Sequence, residues 1–361
     1  MTSENNNDQI KHRLLQLIET ENGVLIRRGI HQTEVRGEKA SEIVQLLMQL
    51  TSGDGMTKGQ LLEHYPEMIR EGVTALIDSL TNKKFLYTAG EEDIESGDSG
   101  LDIFYWNFGT TPATVENNIA SNNIVIIGIN SISRRMAASL ADGGVTDIKV
   151  VDFTELRNMS MFGENNELLP GKWPEGIQQP ISYDEWAATL EYSKPDCIVA
   201  TSDFGGYHQL AIWNEYCVEE SIHFFPVMLD NLVGYVGPLV VPSETACFEC
   251  FTTRMRANMA TPEIHEKVVE TAFQGQQISG FHPSLGGVLG DMAVIELIKF
   301  YGKAFLQRKV AHVTEVNLIS NEMKNRKVLR LPKCKVCGSH RKYNDKAYSQ
   351  TNFIVEEDYI R

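Results

Sequence analysis

Two C-x-x-C pairs, Cys247 with Cys250 and Cys334 with Cys337, constrain this chain more than any other feature of its sequence. Each short loop aims two thiolates at one point, and two such loops complete a closed tetrahedral shell of the kind that holds structural Zn2+. The pairs stand far apart along the chain, so a shared ion would pin the C-terminal region back onto the body. Four protein ligands leave no position for substrate or water, which makes the expected role structural. A redox dithiol is the alternative, but neither pair has a thioredoxin-like context. Cys197 and Cys217 lie among apolar residues and read as core positions.

Cysteines used as metal-held thiolates fit a reducing compartment, and the polar, Asn-rich start Met1–Gln9 has no signal-peptide pattern, so the expected location is the cytoplasm. No apolar run reaches the roughly 18–20 residues of a membrane span. A formal net charge of −15 over 361 residues argues against nucleic acid or an anionic membrane as the main partner.

The chain divides into a tail with a short helix (1–21), a small module (22–88), an acidic linker and connecting segment (89–121), a large body (122–340) and a C-terminal tail (341–361). In the module, Gly23–Arg28 and Thr33–Arg36 read as a hairpin around Gly29, and Ile43, Leu46, Leu47 and Leu50 place a helix over Ala40–Leu50. Thr57 sits where an N-cap belongs, a second helical pattern covers Met68–Leu80, and Phe85–Tyr87 reads as a strand. This is a winged-helix-like pattern. The stretch Ala89–Asp102 is acidic and glycine-rich, without apolar periodicity, and reads as a mobile linker.

In the body, apolar runs at Asn123–Ile127, Ile148–Val151, Cys197–Thr201 and Phe224–Met228 alternate with helical patterns, which implies an α/β fold with a mostly parallel sheet covered on both faces. The first strand, the helix after it and the strand ending at Asp152 form a Rossmann-like βαβ unit. In such a unit bare glycine backbone approaches phosphate, the helix N-terminus supplies N–H donors, and the acidic residue binds ribose. Here the loop reads Gly128-Ile-Asn-Ser-Ile-Ser-Arg134, in which only the first glycine remains.

The segments Val150–Asn158, Ala200–Asp203 and Gly237–Cys250 follow in the order and spacing of the ThiF-like (ubiquitin-activating-enzyme-like) family, and the body resembles that family over about Asn122–Ser339. The family activates carboxylates by adenylation. The resemblance implies that Gly128 belongs to the nucleotide loop, Asp152 to the ribose site, Lys172 to the phosphates and Asp203 to the metal and phosphates. The family's arginine after the ribose aspartate is missing, its place taken by Ser160-Met-Phe162. Losing bare backbone and a cation together weakens triphosphate binding by several kcal/mol, at about 1.5–3 kcal/mol per charge-assisted contact. The expectation is a chain that does not use ATP.

The module has no basic stripe for DNA and resembles the precursor-peptide recognition elements of ribosomal peptide pathways. In that mode an extended peptide adds a strand to a sheet edge and drops side chains into a groove. Val24, Ile26, Val35, Ile69, Val73 and Leu76 are the expected peptide-binding residues. A small packing or oligomerisation domain is the alternative.

Together the parts resemble the leader-peptide-binding partner of an azoline-forming cyclodehydratase. The resemblance implies a non-catalytic, dimeric subunit, with a separate YcaO protein binding ATP and activating the peptide amide. The competing expectation is an active ThiF-like adenylyltransferase of the microcin C-maturation type, similar in gross layout. A nicotinamide-dependent oxidoreductase is a third, disfavoured by the same loop.

Overall fold

The computed structural model describes residues 8–89, 97–273, 280, 282–305 and 310–338. The chain forms two compact units, Met1–Pro112 and Ala113–Arg361.

The first unit begins with two strands, β1 (Gln9–His12) and β2 (Gln16–Thr20), where the sequence reading expected a tail and short helix. Neither segment has a strong local pattern, and both are fixed by distant partners. β3 (Gly23–Arg28) and β4 (His31–Arg36) form the expected hairpin, with Gly29 at φ +58° supplying the left-handed turn residue. β2 pairs with the other side of β3, giving a three-stranded antiparallel sheet in the order β2-β3-β4.

α1 (Ala40–Leu50) buries Ala40, Val44, Leu47 and Met48. β5 (Met56–Thr57) leads into α2 (Lys58–Glu63), which Thr57 opens with a capping box to Gln60. α3 (Arg70–Asn82) buries Val73, Ile77 and Leu80, and β6 (Leu86–Thr88) pairs with β1. The core of this unit joins Val24, Ile26, Val44, Leu47, Leu61, Ile77, Leu80, Phe85 and Trp106.

The acidic segment does not run free as far as Asp102, as expected from its composition. Asp98 accepts from Arg28 Nη1 at 2.9 Å, and Ser99 caps α4 (Gly100–Trp106). The Arg28 side chain is fully buried, donates also to the Leu14 and Gly97 carbonyls at 2.8 and 3.0 Å, and lies over the Trp106 ring. A buried guanidinium needs such a set of acceptors, and this one fastens the start of α4 to the sheet. The acidic residues Glu91, Glu92, Asp93 and Glu95 lie outside the described residues, as does the C-terminal tail.

The second unit is built on an eight-stranded sheet. After α5 (Pro112–Ala120) come β7 (Ile124–Ile127), α6 (Ser131–Asp142), β8 (Lys149–Asp152), β9 (Ile181–Ser182), α7 (Tyr183–Ala187) and β10 (Cys197–Ser202). They are followed by α8 (Tyr207–Glu219), β11 (His223–Asp230), β12 (Val233–Val236), α9 (Phe248–Ala257), α10 (Pro262–Phe273), α11 (Pro283–Phe300), β13 (His312–Asn317) and β14 (Glu322–Lys327).

The strand order is β14-β13-β12-β11-β10-β7-β8-β9. The five strands from β11 to β9 are mutually parallel; β12, β13 and β14 extend them antiparallel. Val125, Ile127, Val151, Ile198 and Ala200 join Leu210, Trp213, Cys217 and Val218 of α8 in one core, and the alternating Ile124, Ile126, Val150 and Val199 are buried as well. Burial of both faces explains the unbroken apolar runs of these strands. The chain leaves β7 toward β8 on one side and reaches β10 on the other, so the ends of β7 and β10 frame the crevice where ligands enter such sheets. No described helix is long and apolar enough to cross a membrane.

Candidate functional site

At that crevice lies an open cleft of about 980 Å3. Its walls include Ser131 and Arg134 of α6, Arg157 and Lys172 of the loops after β8, Asp203 after β10, Asp230 at the end of β11, and His265 of α10. The stretch Pro262–Phe273 is helical, and its Val268 and Val269 add apolar wall.

The loop after β7 turns at Gly128, whose φ is +102° and where a Cβ would lie 2.7 Å from the Thr201 carbonyl oxygen. Glycine is required here because β10 and Leu156 press on the loop. Asn130 follows, fully buried. Its Oδ1 accepts from the N–H groups of Ile132 and Ser133 at 3.1 and 3.2 Å, forming the N-cap of α6. Its Nδ2 donates to the Thr201 carbonyl and hydroxyl at 2.9 and 3.0 Å and to the Leu156 carbonyl at 3.3 Å. One amide side chain therefore ties β7, α6, β10 and the loop after β8 together.

Asp203 is also fully buried. Its Oδ2 receives the Ser131 N–H at 2.9 Å, the Ser131 hydroxyl at 2.7 Å and the Asn158 side-chain N–H at 2.8 Å. Its Oδ1 is buried with no hydrogen-bond partner. The carboxylate thus sits on the first turn of α6, where the helix end favours an anion.

Asp152, the residue placed at a ribose by resemblance, is held bidentate by Arg157 at 2.6 and 2.8 Å, and that guanidinium stacks over Phe162. The cation missing after Asn158 is thus matched by one just before it, which neutralises Asp152. Met161, in the segment where the family arginine is missing, is buried. Trp173 is buried and donates to the Gln178 carbonyl at 3.0 Å, which leaves the neighbouring Lys172 exposed at the cleft wall. Neither Lys172 nor Arg134 makes an ion pair among the described residues. Tyr207 donates to Asp230 at 3.0 Å, and burial followed by the nearby carboxylate pushes its hydroxyl pKa up. His282 caps α11 by accepting from the Ser284 N–H, and His208 lines the cleft.

The four paired cysteines converge. All are buried, and their sulfurs lie within 4.8 Å of one another. Individual Sγ–Sγ separations are 3.8 Å for Cys247–Cys250, 3.6 Å for Cys247–Cys334 and 3.5 Å for Cys250–Cys337. A tetrahedral Zn–S4 centre with bonds of about 2.3 Å has edges of about 3.8 Å, so the set fits a metal ion of that kind. Hydrogen bonds from the Cys247 and Cys337 thiols push the Cys250 pKa down, while Cys247 is pushed up. Cys197 and Cys217 are fully buried in the core, their thiol pKa values raised by desolvation.

In the first unit, the expected peptide-contacting set separates into two groups. Val24, Ile26 and Val73 are buried in the core, and β3 is paired on both sides, so neither their side chains nor their strand offers an open edge. The added strand β2 closes the edge of β3, and packing against residues of α1, α2 and α3 buries the side chains. Val35 on the outer strand β4, with Ile69 and Leu76, is only partly buried.

Residues 166–337 match the ThiF family model. The chain contains a ThiF family domain. The match takes in Lys172, Asp203 and all four paired cysteines, and begins beyond Gly128 and Asp152. No curated protein matches the sequence. Among solved structures, E. coli MccB with ATP aligns with a TM-score of 0.59 at 17% identity, over 91% of this chain and 100% of that one. The microcin C7 biosynthetic enzyme MccB in complex with N-formylated MccA gives 0.61 at 18%, over 91% and 100%. A heterocyclase in complex with substrate and cofactor gives 0.56 at 17%, over 92% of this chain and 40% of that one. These likenesses show the fold alone.

Proposed function

We propose that this chain is the leader-peptide-binding, non-ATP-using component of an azoline-forming cyclodehydratase in ribosomal peptide biosynthesis. The observation that carries the reading is the filled first turn of α6, where the Asn130 amide and the Asp203 carboxylate take the donors a nucleotide phosphate would need. The likeness to a heterocyclase in complex with substrate and cofactor supports the same reading. The leader would pair with the outer edge of β4 and place side chains against Val35, Ile69 and Leu76. Its gain to the reaction would be proximity: a core peptide tethered by its leader reaches an effective concentration of about millimolar at the active site of a YcaO partner. Zn2+ held by Cys247, Cys250, Cys334 and Cys337 would staple the C-terminal segment to α9. We place the protein in the cytoplasm, as a homodimer.

A second reading is favoured by the near-complete coverage of MccB: an adenylyltransferase that activates a peptide carboxylate with ATP. Two measurements on purified protein separate the readings. Fluorescence anisotropy with a labelled precursor leader should show saturable binding without nucleotide, and ATP–pyrophosphate exchange should stay at background with and without peptide. Robust exchange would replace the first reading with the second.

A further inference from the structure

We infer that the outer edge of β14 is a docking edge for a second protein, which adds an extended acidic segment there as a further strand of the sheet. The inference goes beyond the reading above, since it lies in the second unit and uses neither the first unit nor the cleft. β14 ends the eight-stranded sheet: its six residues pair with β13 on one side, and the other side has no strand among the described residues. All six are exposed, so the backbone N–H and C=O groups along that side are within reach of another chain.

Charge selects the occupant. From Glu322 to Lys335 the sequence sets Lys324, Arg326, Lys327, Arg330, Lys333 and Lys335 against the single acid Glu322, in a chain whose net charge is −15. Part of this is answered locally: Lys324 pairs with Glu322 at 2.9 Å, Arg326 with Glu315 at 3.6 Å and Lys335 with Glu249 at 3.5 Å, whereas Lys327 and Lys333 make no ion pair among the described residues. Cations on an edge also blunt it against its own kind, and pairing two β14 edges would bring together three cations from each strand with one acid apiece to offset them. A second copy is therefore a poor occupant. Blunting alone leaves no role for Met323 on the strand and Ile319 in the turn before it, exposed apolar side chains that an added strand would cover. Nucleic acid matches the sign of the charge but has no amide backbone to pair with the edge, and the net negative charge of the chain opposes it. Because side chains alternate, Lys324 and Arg326 lie on one face and Met323 and Lys327 on the other. The segment that fits thus carries acids at every second position, with apolar residues between them.

The test is fluorescence anisotropy of the full-length chain with a short labelled peptide of alternating glutamate and valine. Binding should be saturable, should weaken as salt is raised, and should be lost when alternate backbone N–H groups of the peptide are methylated. Lys324→Glu combined with Lys327→Glu should weaken it at least about tenfold, the effect of reversing two surface charges that face the ligand. Thermal melts establish that the variant is folded; should the reversal disturb folding, Lys324→Gln with Lys327→Gln carries the test and should weaken binding several-fold. Absent binding by wild type, a methylated peptide that binds equally well, folded variants that bind as wild type does, or single-stranded DNA that displaces the probe as effectively as unlabelled peptide would each overturn the proposal. The leader of the proposed function binds in the first unit and these substitutions lie in the second, so the two readings fail separately.

Discussion

Restoring a glycine to the loop after β7 should damage this protein without returning a nucleotide site. In Asn130→Gly the extended backbone, φ −157° and ψ −176°, is easily kept, so the effect comes from the side chain alone. Two capping bonds to Ile132 and Ser133 are lost, together with donors to the Thr201 and Leu156 carbonyls. On an exposed helix end glycine costs only a few tenths of a kcal/mol, because water replaces the cap. Here the site is fully buried, and each polar group left without a partner costs about 1–3 kcal/mol. Allowing some relaxation, the loss should be about 3–5 kcal/mol. At about 2–4 °C per kcal/mol for a domain of this size, the ThiF domain should melt roughly 10 °C lower. Asn130→Ser, which retains a capping oxygen but loses the donors, should fall between. Differential scanning calorimetry supplies the melting temperatures, and titration with Mg-ATP should show no new binding, because Asp203 still holds the end of α6. A melt within about 2 °C of wild type, or ATP binding gained by this change alone, would refute the reasoning.

Purified protein should contain one zinc per chain by plasma mass spectrometry; Cys337→Ser should lower that content and the melting temperature, while Cys197→Ser should leave zinc unchanged. Val35→Asp, on the open strand, should weaken leader binding at least about tenfold in anisotropy with little change in the melt, whereas Val24→Ala, in the core, should cost about 1–3 kcal/mol of stability in denaturant titration. His223 is held below its ordinary pKa by burial and shares a 2.7 Å hydrogen bond with Tyr301. The unfolded chain takes up this proton first as pH falls, so the contribution should be complete above about pH 6.5 and lost progressively below it; His223→Gln should flatten that part of the stability–pH curve.

The parts of the fold legible in the sequence are those whose signal is local. Apolar spacing gave α1 its observed limits, Thr57 marked the start of α2, and the runs of β7, β8, β10 and β11 announced a sheet buried on both faces. The C-x-x-C pairs carried their own geometry and did converge. What stayed hidden depends on distant partners. β1 has one buried apolar residue, Ile10, and owes its strand character to β5 and β6. β14 is wholly exposed and exists as the partner of β13. The Asp203–Ser131 contact spans 72 residues, beyond any periodicity. One signal was available: Asn130 with Ser133 three residues on, ahead of Ile132, Met136 and Leu140, is the pattern of a helix cap, and it marks the loop as built around its asparagine.

The strand hidden at the N-terminus also changes how the first unit can work. A hairpin alone would offer a peptide either of two edges, and its apolar residues would all be candidates for contact. β2 covers the free side of β3, so the open edges of that sheet among the described residues are the outer sides of β2 and β4, while Val24 and Ile26 are packed into the core. Because side chains alternate along a strand, Thr33 and Val35 share the face that carries Val24 and Ile26 toward the core, and both are half-buried, while Gln32 and Glu34 point the other way. Lys83, at the end of α3, reaches across to the Thr33 hydroxyl at 2.7 Å and closes one end of that face. A peptide pairing with β4 would thus be read through every second residue, by apolar contact at Val35 and polar contact near Thr33. Selectivity of the first unit should follow the leader's alternation pattern more closely than its overall composition.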